Sequence, residues 1–181
     1  MELLLEKHSG ELMILLLSVL VIDGDPSHVQ QAVENLLFNA RDATFEMRNH
    51  LRDEARRQAA VARGPDAERL RQALIAAAAW KGNVVLRTRR GGDRAVLEVR
   101  DNGIGMTEEV RSRCTETHFS TKRDNAIYEG ISTGMGLGLS FVTSILENHG
   151  APLEIESEPL RGATFRASFR LAETAVKTLE L

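Results

Sequence analysis

The sequence predicts an α/β fold, because helical and strand patterns both recur along its 181 residues. Residues 30–44 and 140–150 carry apolar side chains at helical spacing, so each predicts an amphipathic helix. Residues 83–90 and 94–100 alternate apolar and polar side chains around Gly91-Gly92-Asp93, a pattern typical of a β-hairpin. A chain of this length can build one domain with a sizeable core.

Composition narrows the kind of protein before any motif is considered. The formal net charge is −3, so no overall positive field favours nucleic acid as a partner. Cys114 is the single cysteine, which excludes an internal disulfide and is typical of a reducing compartment. The apolar run at residues 12–22 is shorter than the roughly 20 residues that span a membrane, and it lacks the flanks of a signal peptide. This apolar run therefore predicts either a buried strand or the stub of a longer protein.

The chain begins with an N-terminal segment, residues 1–22, for which the apolar pattern predicts one or two strands. A turn then leads into the helix of residues 30–44. We expect Asp25 to cap this helix and Pro26 to be its first residue, because both residue types are favoured at those positions.

One side of this helix is polar. Asn35, Asn39 and Asp42 follow one another there at i, i+4 and i+7. Two carboxamides one turn apart indicate hydrogen bonding or oxygen ligation, and a carboxamide oxygen is a hard ligand that suits Mg²⁺. Taken alone, the same row is also typical of a solvated helix face.

The Ala- and Arg-rich residues 46–81 predict two helices, separated at Gly64-Pro65. The second helix carries one apolar stripe, formed by Leu70, Leu74, Ala77 and Trp80. Packing on the domain's own surface and docking of a partner domain both fit this pattern.

The second strand of the hairpin ends in the motif DNGIGM at residues 101–106. A short helix over residues 107–113 follows, with Thr107 predicted as its N-cap. The stretch from there to Gly134 is polar and contains glycine, a composition typical of a mobile loop.

The glycines of GMGLGL, residues 134–139, stand directly before the helix of residues 140–150. Exposed backbone N–H groups and the partial positive charge of a helix N-terminus together make a phosphate cradle. His149-Gly150 is predicted to close this helix, with the histidine as a C-terminal cap. The chain ends in a predicted strand pair and a tail, at residues 152–156, 163–171 and 172–181.

Five motifs stand in an order that resembles one protein family. They are NARDA, DNGIGM, FSTK, GMGLGL and GATF, at residues 39–43, 101–106, 119–122, 134–139 and 162–165. The set resembles the ATP-binding catalytic domain of sensor histidine kinases, within the superfamily of gyrase, heat-shock chaperone and mismatch-repair ATPases. The resemblance covers residues 23–171, and kinases of the nitrogen-regulatory and hybrid type look most similar.

The resemblance implies a two-layer α/β sandwich, with a mixed, mostly antiparallel sheet and helices on one face. ATP would lie between the helices and a lid formed by residues 107–134. Residues 46–81 become a helical insertion, because family members usually join the asparagine helix to the next strand by a short loop.

The resemblance also implies an adenine site. Asp101 would accept a hydrogen bond from the adenine amino group, and the glycines of its motif would let the backbone approach the base. Ile104 and Met106 would contact the purine, and the hydroxyl of Thr164 would lie near the adenine and Asp101.

At the phosphate end, the resemblance implies that Asn39 holds Mg²⁺, assisted by Asn35, and that Lys122 reaches the phosphates. These three residues form the expected catalytic set. Many relatives have a lysine where Asp42 stands, so Asp42 departs from the family pattern. The full expected nucleotide-binding set is Asn35, Asn39, Asp42, Asp101, Gly103, Ile104, Gly105, Met106, Thr121, Lys122, Gly134, Met135, Gly136, Leu137, Gly138, Leu139 and Thr164.

The implied activity is binding of ATP with Mg²⁺ and donation of the γ-phosphoryl group to a histidine on a dimerisation domain. His8 is followed by Ser9 and Gly10, unlike a phosphoacceptor histidine, so we expect that domain elsewhere in a longer parent or on another chain. A response regulator would be an indirect partner. We expect a cytoplasmic location, alone or as part of a membrane-anchored sensor, with no membrane contact by this segment and no nucleic-acid partner.

Two other functions stay open at this stage. One is a stand-alone ATPase or protein serine kinase of the same superfamily, with Glu34 as general base. Glu34 is displaced by one residue from where the ATPases carry that base, and a helix turns about 100° per residue. The other is a protein-binding module that nucleotide only stabilises.

Overall fold

The computed structural model describes residues 10–16, 20–61, 67–119 and 138–172. Its helices and strands, in chain order, are β1 (Gly10–Leu16), α1 (Pro26–Val61), α2 (Ala67–Ala79), β2 (Gly82–Gly91), β3 (Arg94–Asp101), α3 (Glu108–Arg113), α4 (Gly138–Asn148), β4 (Leu153–Glu158) and β5 (Gly162–Arg170). The predicted hairpin, the short helix and the final strand pair are therefore present. Within these ranges, no helix is both long and apolar enough to cross a membrane.

The strands form one sheet in the order β1-β2-β3-β5-β4. β1 runs parallel to β2, and the remaining neighbours are antiparallel. The prediction of a mixed, mostly antiparallel sheet is confirmed. The β2–β3 hairpin turns at Gly92, whose φ of 65° lies in the left-handed region that glycine adopts readily.

The core lies between one face of the sheet and the helices α1 and α4. Leu36 of α1 and Val142 of α4 are buried in one cluster with Val99 of β3 and Phe165 of β5. Burying each such side chain stabilises the fold by roughly 1.5–3 kcal/mol. The expected two-layer sandwich, with its helices on one face, is the fold observed.

Polar contacts join the start of α1 to the end of α4. The Asp25 carboxylate caps α1, because Oδ1 accepts from the N–H groups of Ser27 at 2.8 Å and His28 at 3.1 Å. His149 bonds Ile145 O through Nδ1 at 2.7 Å, and its Nε2 accepts from the Asp25 N–H at 3.0 Å. Both predicted caps are confirmed, and the two helices run antiparallel.

The predicted helix of residues 30–44 is part of a longer element, since α1 continues without a break for 36 residues. The first predicted insertion helix is therefore the second half of α1, and α2 is the other. Ala55 of α1 and Ala77 of α2 are buried where the two helices pack together. Leu74 departs from the predicted stripe, because it is 41% exposed. The predicted break at Gly64-Pro65 lies outside the described residues.

Candidate functional site

Asp101 is a buried carboxylate at the end of β3. Its side chain accepts a hydrogen bond from the N–H of Gly103 at 2.8 Å, and a second from the backbone of Ala163. Burial still raises the pKa of the Asp101 carboxyl to about 6, because these two bonds only partly replace the lost hydration. A carboxylate in this setting favours a further hydrogen-bond donor.

The loop after Asp101 packs against α1 on one side and the β4–β5 hairpin on the other. A Cβ at Gly103 would lie 2.5 Å from the carbonyl carbon of Ala43, and the Ile104 N–H donates to Ala43 O at 3.0 Å. Gly105 has a φ of 66°, and a Cβ there would overlap the Glu158 carbonyl. The absence of a Cβ at both glycines thus avoids clashes with protein backbone. The resemblance had implied instead that it makes room for the base.

Two residues of the β4–β5 hairpin, not predicted from the sequence, position this loop. Ser157 Oγ accepts from the Met106 N–H at 2.9 Å and donates to Gly162 O at 2.8 Å. The Leu160 N–H donates to Ile104 O at 2.7 Å. No local sequence signal marks these contacts, because they join segments that are far apart in the chain.

Asn35 and Asn39 face the first residue of α4. Asn35 Nδ2 donates to Gln31 O at 2.8 Å, which leaves Oδ1 on the side of Gly138. A Cβ at Gly138 would lie 3.3 Å from Asn35 Oδ1 and 3.8 Å from Asn39 Nδ2. Asn39 Nδ2 is buried, with no hydrogen-bond partner in the described part of the chain. The structure therefore brings both carboxamides to the N-terminus of a helix.

Comparison with known proteins identifies the family. The family described as "Histidine kinase-, DNA gyrase B-, and HSP90-like ATPase" matches residues 24–173. This chain belongs to that ATPase family. The resemblance predicted from the five motifs is confirmed.

Curated relatives within the ATPase family include several sensor proteins. The sensor histidine kinase ZraS of Klebsiella oxytoca is 36% identical over 108 residues, which are 55% of this chain and 21% of the relative. A putative sensor protein of Shewanella frigidimarina is 34% identical over 116 residues, 60% of this chain and 17% of the relative. The chain thus spans about a fifth of the length of these relatives.

Solved structures of the ATPase family share the fold. The mycobacterial sensor histidine kinase MprB superposes with a TM-score of 0.60 at 20% identity, covering 90% of this chain and 84% of that one. Full-length ShkA in complex with AMPPNP gives a TM-score of 0.60 at 21% identity, covering 90% of this chain and 26% of that one. These similarities support the two-layer architecture.

Alternation along β5 places Ala163, rather than Thr164, beside Asp101. Ala163 and Phe165 belong to the core between the sheet and the helices, so Thr164 points to the opposite face. There it stands in register with Arg100. The predicted position of the Thr164 hydroxyl near Asp101 is not the one observed, because a shift of one residue along a strand moves a side chain to the other face.

Two acidic residues of α1 have partners on their own helix. Asp42 Oδ1 accepts from the Arg41 guanidinium, at 2.9 Å from Nη2 and 3.1 Å from Nε. Glu34 Oε1 accepts from Gln30 Nε2 at 2.8 Å. Both of these partners, Arg41 and Gln30, are exposed side chains of α1, whereas the two carboxamides face Gly138.

The predicted lid, residues 107–134, is described only up to residue 119. Thr107 caps α3 by accepting from the Val110 N–H at 3.3 Å, as predicted, and the Arg113 guanidinium lies 4.6 Å from the Phe119 ring centroid. Gly138 and Leu139 lie in the first turn of α4. The remaining predicted residues of this region lie outside the described residues: Thr121, Lys122, Gly134, Met135, Gly136 and Leu137.

Proposed function

We propose that this chain is the ATP-binding catalytic domain of a two-component sensor histidine kinase. It donates the γ-phosphoryl group of ATP to a histidine on a separate dimerisation domain. The observation that carries the proposal is that the loop after the buried Asp101 carboxylate packs on Ala43 of α1, the helix whose two carboxamides face the N-terminus of α4. Membership of the ATPase family, with sensor kinases among the relatives, supports it.

At the adenine end, Asp101 accepts a hydrogen bond from the amino group of the base. Its two backbone donors leave acceptor capacity on an ionised carboxylate, which has about four lone-pair sites. Ile104 and Met106, both half-buried in the following loop, supply apolar contact to the purine ring. Gly103 and Gly105 act indirectly, by allowing the loop to pack closely on α1 and β4.

At the phosphate end, the residues present fit a magnesium ion. Asn39 Nδ2 has no hydrogen-bond partner among the described residues, so rotation of the carboxamide can present Oδ1 instead, and Asn35 Oδ1 lies on the same side. Within the described residues, no group of three or more His, Cys, Asp or Glu could hold a metal by itself. Phosphate oxygens and water would therefore complete the coordination. A magnesium ion held there would offset negative charge on the leaving diphosphate.

The N-terminus of α4 and the glycines before it bind the phosphates through backbone N–H groups. Lys122 adds a cation from the lid. Positioning and electrostatic stabilisation supply most of the catalysis in phosphoryl transfer, so no side chain of this domain has to act as a nucleophile.

The partners follow from the chemistry. The phosphoacceptor histidine belongs to a dimerisation domain, joined to this domain in a longer protein or present on another chain. A response regulator receives the phosphoryl group afterwards, so it is an indirect partner. The site of action is the cytoplasm, where ATP is available.

Calorimetric titration with ATP, with and without Mg²⁺, tests the proposal. Wild-type protein is expected to bind ATP more tightly with Mg²⁺, and Asp101→Asn to weaken binding by about 10-fold or more. Asp93→Asn, in the exposed turn at the other end of β3, is the matched control and should bind as wild type does.

Folding of the Asp101→Asn variant is not expected to limit this test. The carboxamide has a similar shape and its Oδ1 can still accept from the Gly103 N–H, so the variant is expected to fold, and its melting temperature checks this. Wild-type protein that binds no ATP under either condition would contradict the proposed function.

A further inference from the structure

Asn102 connects the loop after β3 to the beginning of β2. Its backbone N–H donates to Asn83 O at 3.2 Å, and its Oδ1 accepts from the Asn83 N–H at 2.7 Å. Its Nδ2 donates to Lys81 O at 3.1 Å. Both ends of one side chain are thus bound to backbone groups of a segment that lies 19 to 21 residues away in the chain.

These bonds act directly on the position of Asp101. The register of β2 and β3 ends with the pair Val84 and Asp101, and Asn102 continues the pairing by one further step through its side chain. Asn102 also lies between the two residues joined by the bond from Gly103 N–H to Asp101 Oδ1. A change in the backbone at Asn102 would therefore move the carboxylate or break that bond.

We propose that Asn102 is a positioning residue for recognition of the nucleotide base. By holding the backbone on either side of it, Asn102 sets the place and orientation at which the Asp101 carboxylate meets the exocyclic amino group of adenine. The inference rests on the proposed function, because it takes that amino group to be the ligand of Asp101. Within the described part of the chain, the Asn102 carboxamide binds backbone groups alone.

The same bonds join the helical insertion to the site. Lys81 is the last residue of the insertion and lies two residues after the end of α2, so the bond from Asn102 Nδ2 to its carbonyl connects the insertion to the loop after β3. At its other end, the insertion is continuous with α1, whose Ala43 carbonyl accepts from the Ile104 N–H. The loop that follows Asp101 is thereby bonded to backbone groups at one end of the insertion and just before its other end.

The experiment compares base recognition with phosphate binding in the same variants. Affinities for ATP, GTP and inorganic tripolyphosphate, each with Mg²⁺, are measured by calorimetry for wild type, Asn102→Ala and Asn148→Ala. Guanine presents a carbonyl where adenine has the amino group, so GTP reports on the hydrogen bond to Asp101. Asn148 is exposed at the far end of α4 and serves as the matched control.

Asn102→Ala is expected to lower ATP affinity by roughly tenfold, as loss of one or two hydrogen bonds implies. Affinities for GTP and tripolyphosphate should stay near those of wild type, so discrimination between ATP and GTP shrinks. Asn148→Ala should match wild type for all three ligands. Melting temperatures of all variants show whether the loss of discrimination follows from unfolding.

Two results would overturn the inference while leaving the proposed function intact. One is unchanged discrimination between ATP and GTP in Asn102→Ala. The other is an equal loss of affinity for all three ligands together with a lower melting temperature, which is what a purely structural role predicts. Wild-type protein that does not discriminate ATP from GTP would contradict the role of Asp101, and this inference with it.

A second variant keeps the test decisive if Asn102→Ala does not fold. Asn102→Asp retains an oxygen that accepts from the Asn83 N–H, but it replaces the donor to Lys81 O with a carboxylate oxygen, which repels that carbonyl. It should lose discrimination between ATP and GTP, because one of the two bonds of the Asn102 side chain is broken while the other is kept. A folded Asn102→Asp variant that keeps wild-type ATP affinity and wild-type discrimination between ATP and GTP would contradict the inference.

Discussion

The proposed role of Asp101 predicts that nucleotide binding depends on pH close to neutrality. Burial raises the pKa of its carboxyl to about 6 in the free protein, and only the ionised form is a strong acceptor for the adenine amino group. ATP affinity is therefore expected to fall by about tenfold between pH 7 and pH 5, as the carboxylate becomes protonated. Calorimetric titrations across this range measure the effect.

Asp101→Asn is the control for this pH dependence, because ATP itself gains a proton over the same range. The variant should bind weakly, with only the shallow dependence that comes from the ligand. A wild-type profile that is as flat as that of the variant would contradict a role for the ionised carboxylate. Because the pKa of this carboxyl is raised in the folded protein, its ionisation lowers the free energy of unfolding as pH rises from about 4 to about 6. An aspartate whose pKa is lowered on folding has the opposite effect.

Asn39 offers a separate test at the phosphate end. Asn39→Ala is expected to remove most of the Mg²⁺-dependent part of ATP binding, because it deletes the carboxamide that faces the N-terminus of α4. Melting temperature should change little, since Nδ2 makes no hydrogen bond in the described structure. Calorimetry with and without Mg²⁺ separates the two contributions.

Asn49→Ala is the matched control for Asn39, because it removes a half-buried carboxamide from the same helix. It should leave both ATP affinity and its Mg²⁺ dependence unchanged. Equal Mg²⁺ dependence in Asn39→Ala and wild type would show that the metal is held elsewhere.

Among the strands, an ion pair on the sheet face opposite the helices joins β3 to β5. Glu98 is only 7% exposed, and its Oε2 lies 2.8 Å from Arg166 Nε. Arg166 also reaches Glu156 at 2.6 Å on β4, and these two carboxylates raise the pKa of its guanidinium. Arg166 therefore links three neighbouring strands, β3, β5 and β4, on the sheet face opposite the helices.

Arg166→Ala is expected to lower the free energy of unfolding by on the order of 3 kcal/mol, because it leaves the Glu98 carboxylate buried without this partner. Denaturation by urea measures the change. Arg161→Ala removes an exposed pair with Glu158, at 3.1 Å, and should cost less than about 1 kcal/mol. Equal effects of the two variants would show that burial of Glu98 does not matter.

Among the helices, α1 combines two tasks in one element. Its first half carries the carboxamides and the core stripe, and its second half packs with α2. The Ala/Arg-rich composition predicted helices there, but not that they would continue α1. Helix propagation adds one hydrogen bond per residue without a new nucleation cost, so a stretch with no Gly or Pro favours continuation.

For the molecule as a whole, the proposed function assigns ATP binding to this chain and the phosphoacceptor histidine to a separate domain. ATP binding should therefore be measurable without phosphoryl transfer. Incubation of this chain alone with radiolabelled ATP and Mg²⁺ should give little or no acid-labile phosphohistidine. Within the described residues, His149 has both ring nitrogens bonded, to Ile145 O and the Asp25 N–H, at the end of α4 away from Gly138. Substantial labelling of this chain would contradict the proposal that the phosphoacceptor histidine lies on a separate domain.

Addition of a histidine-bearing dimerisation domain is the complementary arm of this experiment. Labelling should then appear on the added domain, and His→Ala at its acceptor position should abolish it. Asn39→Ala in the present chain should prevent labelling as well, because the same site supplies the phosphoryl group.

Much of the architecture could be read from local patterns. Helix α4, the β2–β3 hairpin and the caps at Asp25 and Thr107 depend on interactions between residues close in the chain, so periodicity and cap chemistry suffice to predict them. The family also followed from local signals, because five motifs in a fixed order do not require knowledge of the tertiary contacts.

The contacts that shape the site joined segments far apart in the chain, and folding alone determined them. They include the Ala163 N–H at Asp101, the Asn102 bonds to residues 81 and 83, and the Ser157 hydroxyl at Met106. Each depends on strand register, where a shift of one residue exchanges the two faces of the sheet, as the position of Thr164 shows. Register is set by the packing of the whole core. Local sequence patterns therefore predicted the helices and strands of this domain, whereas long-range packing determined where its functional groups lie.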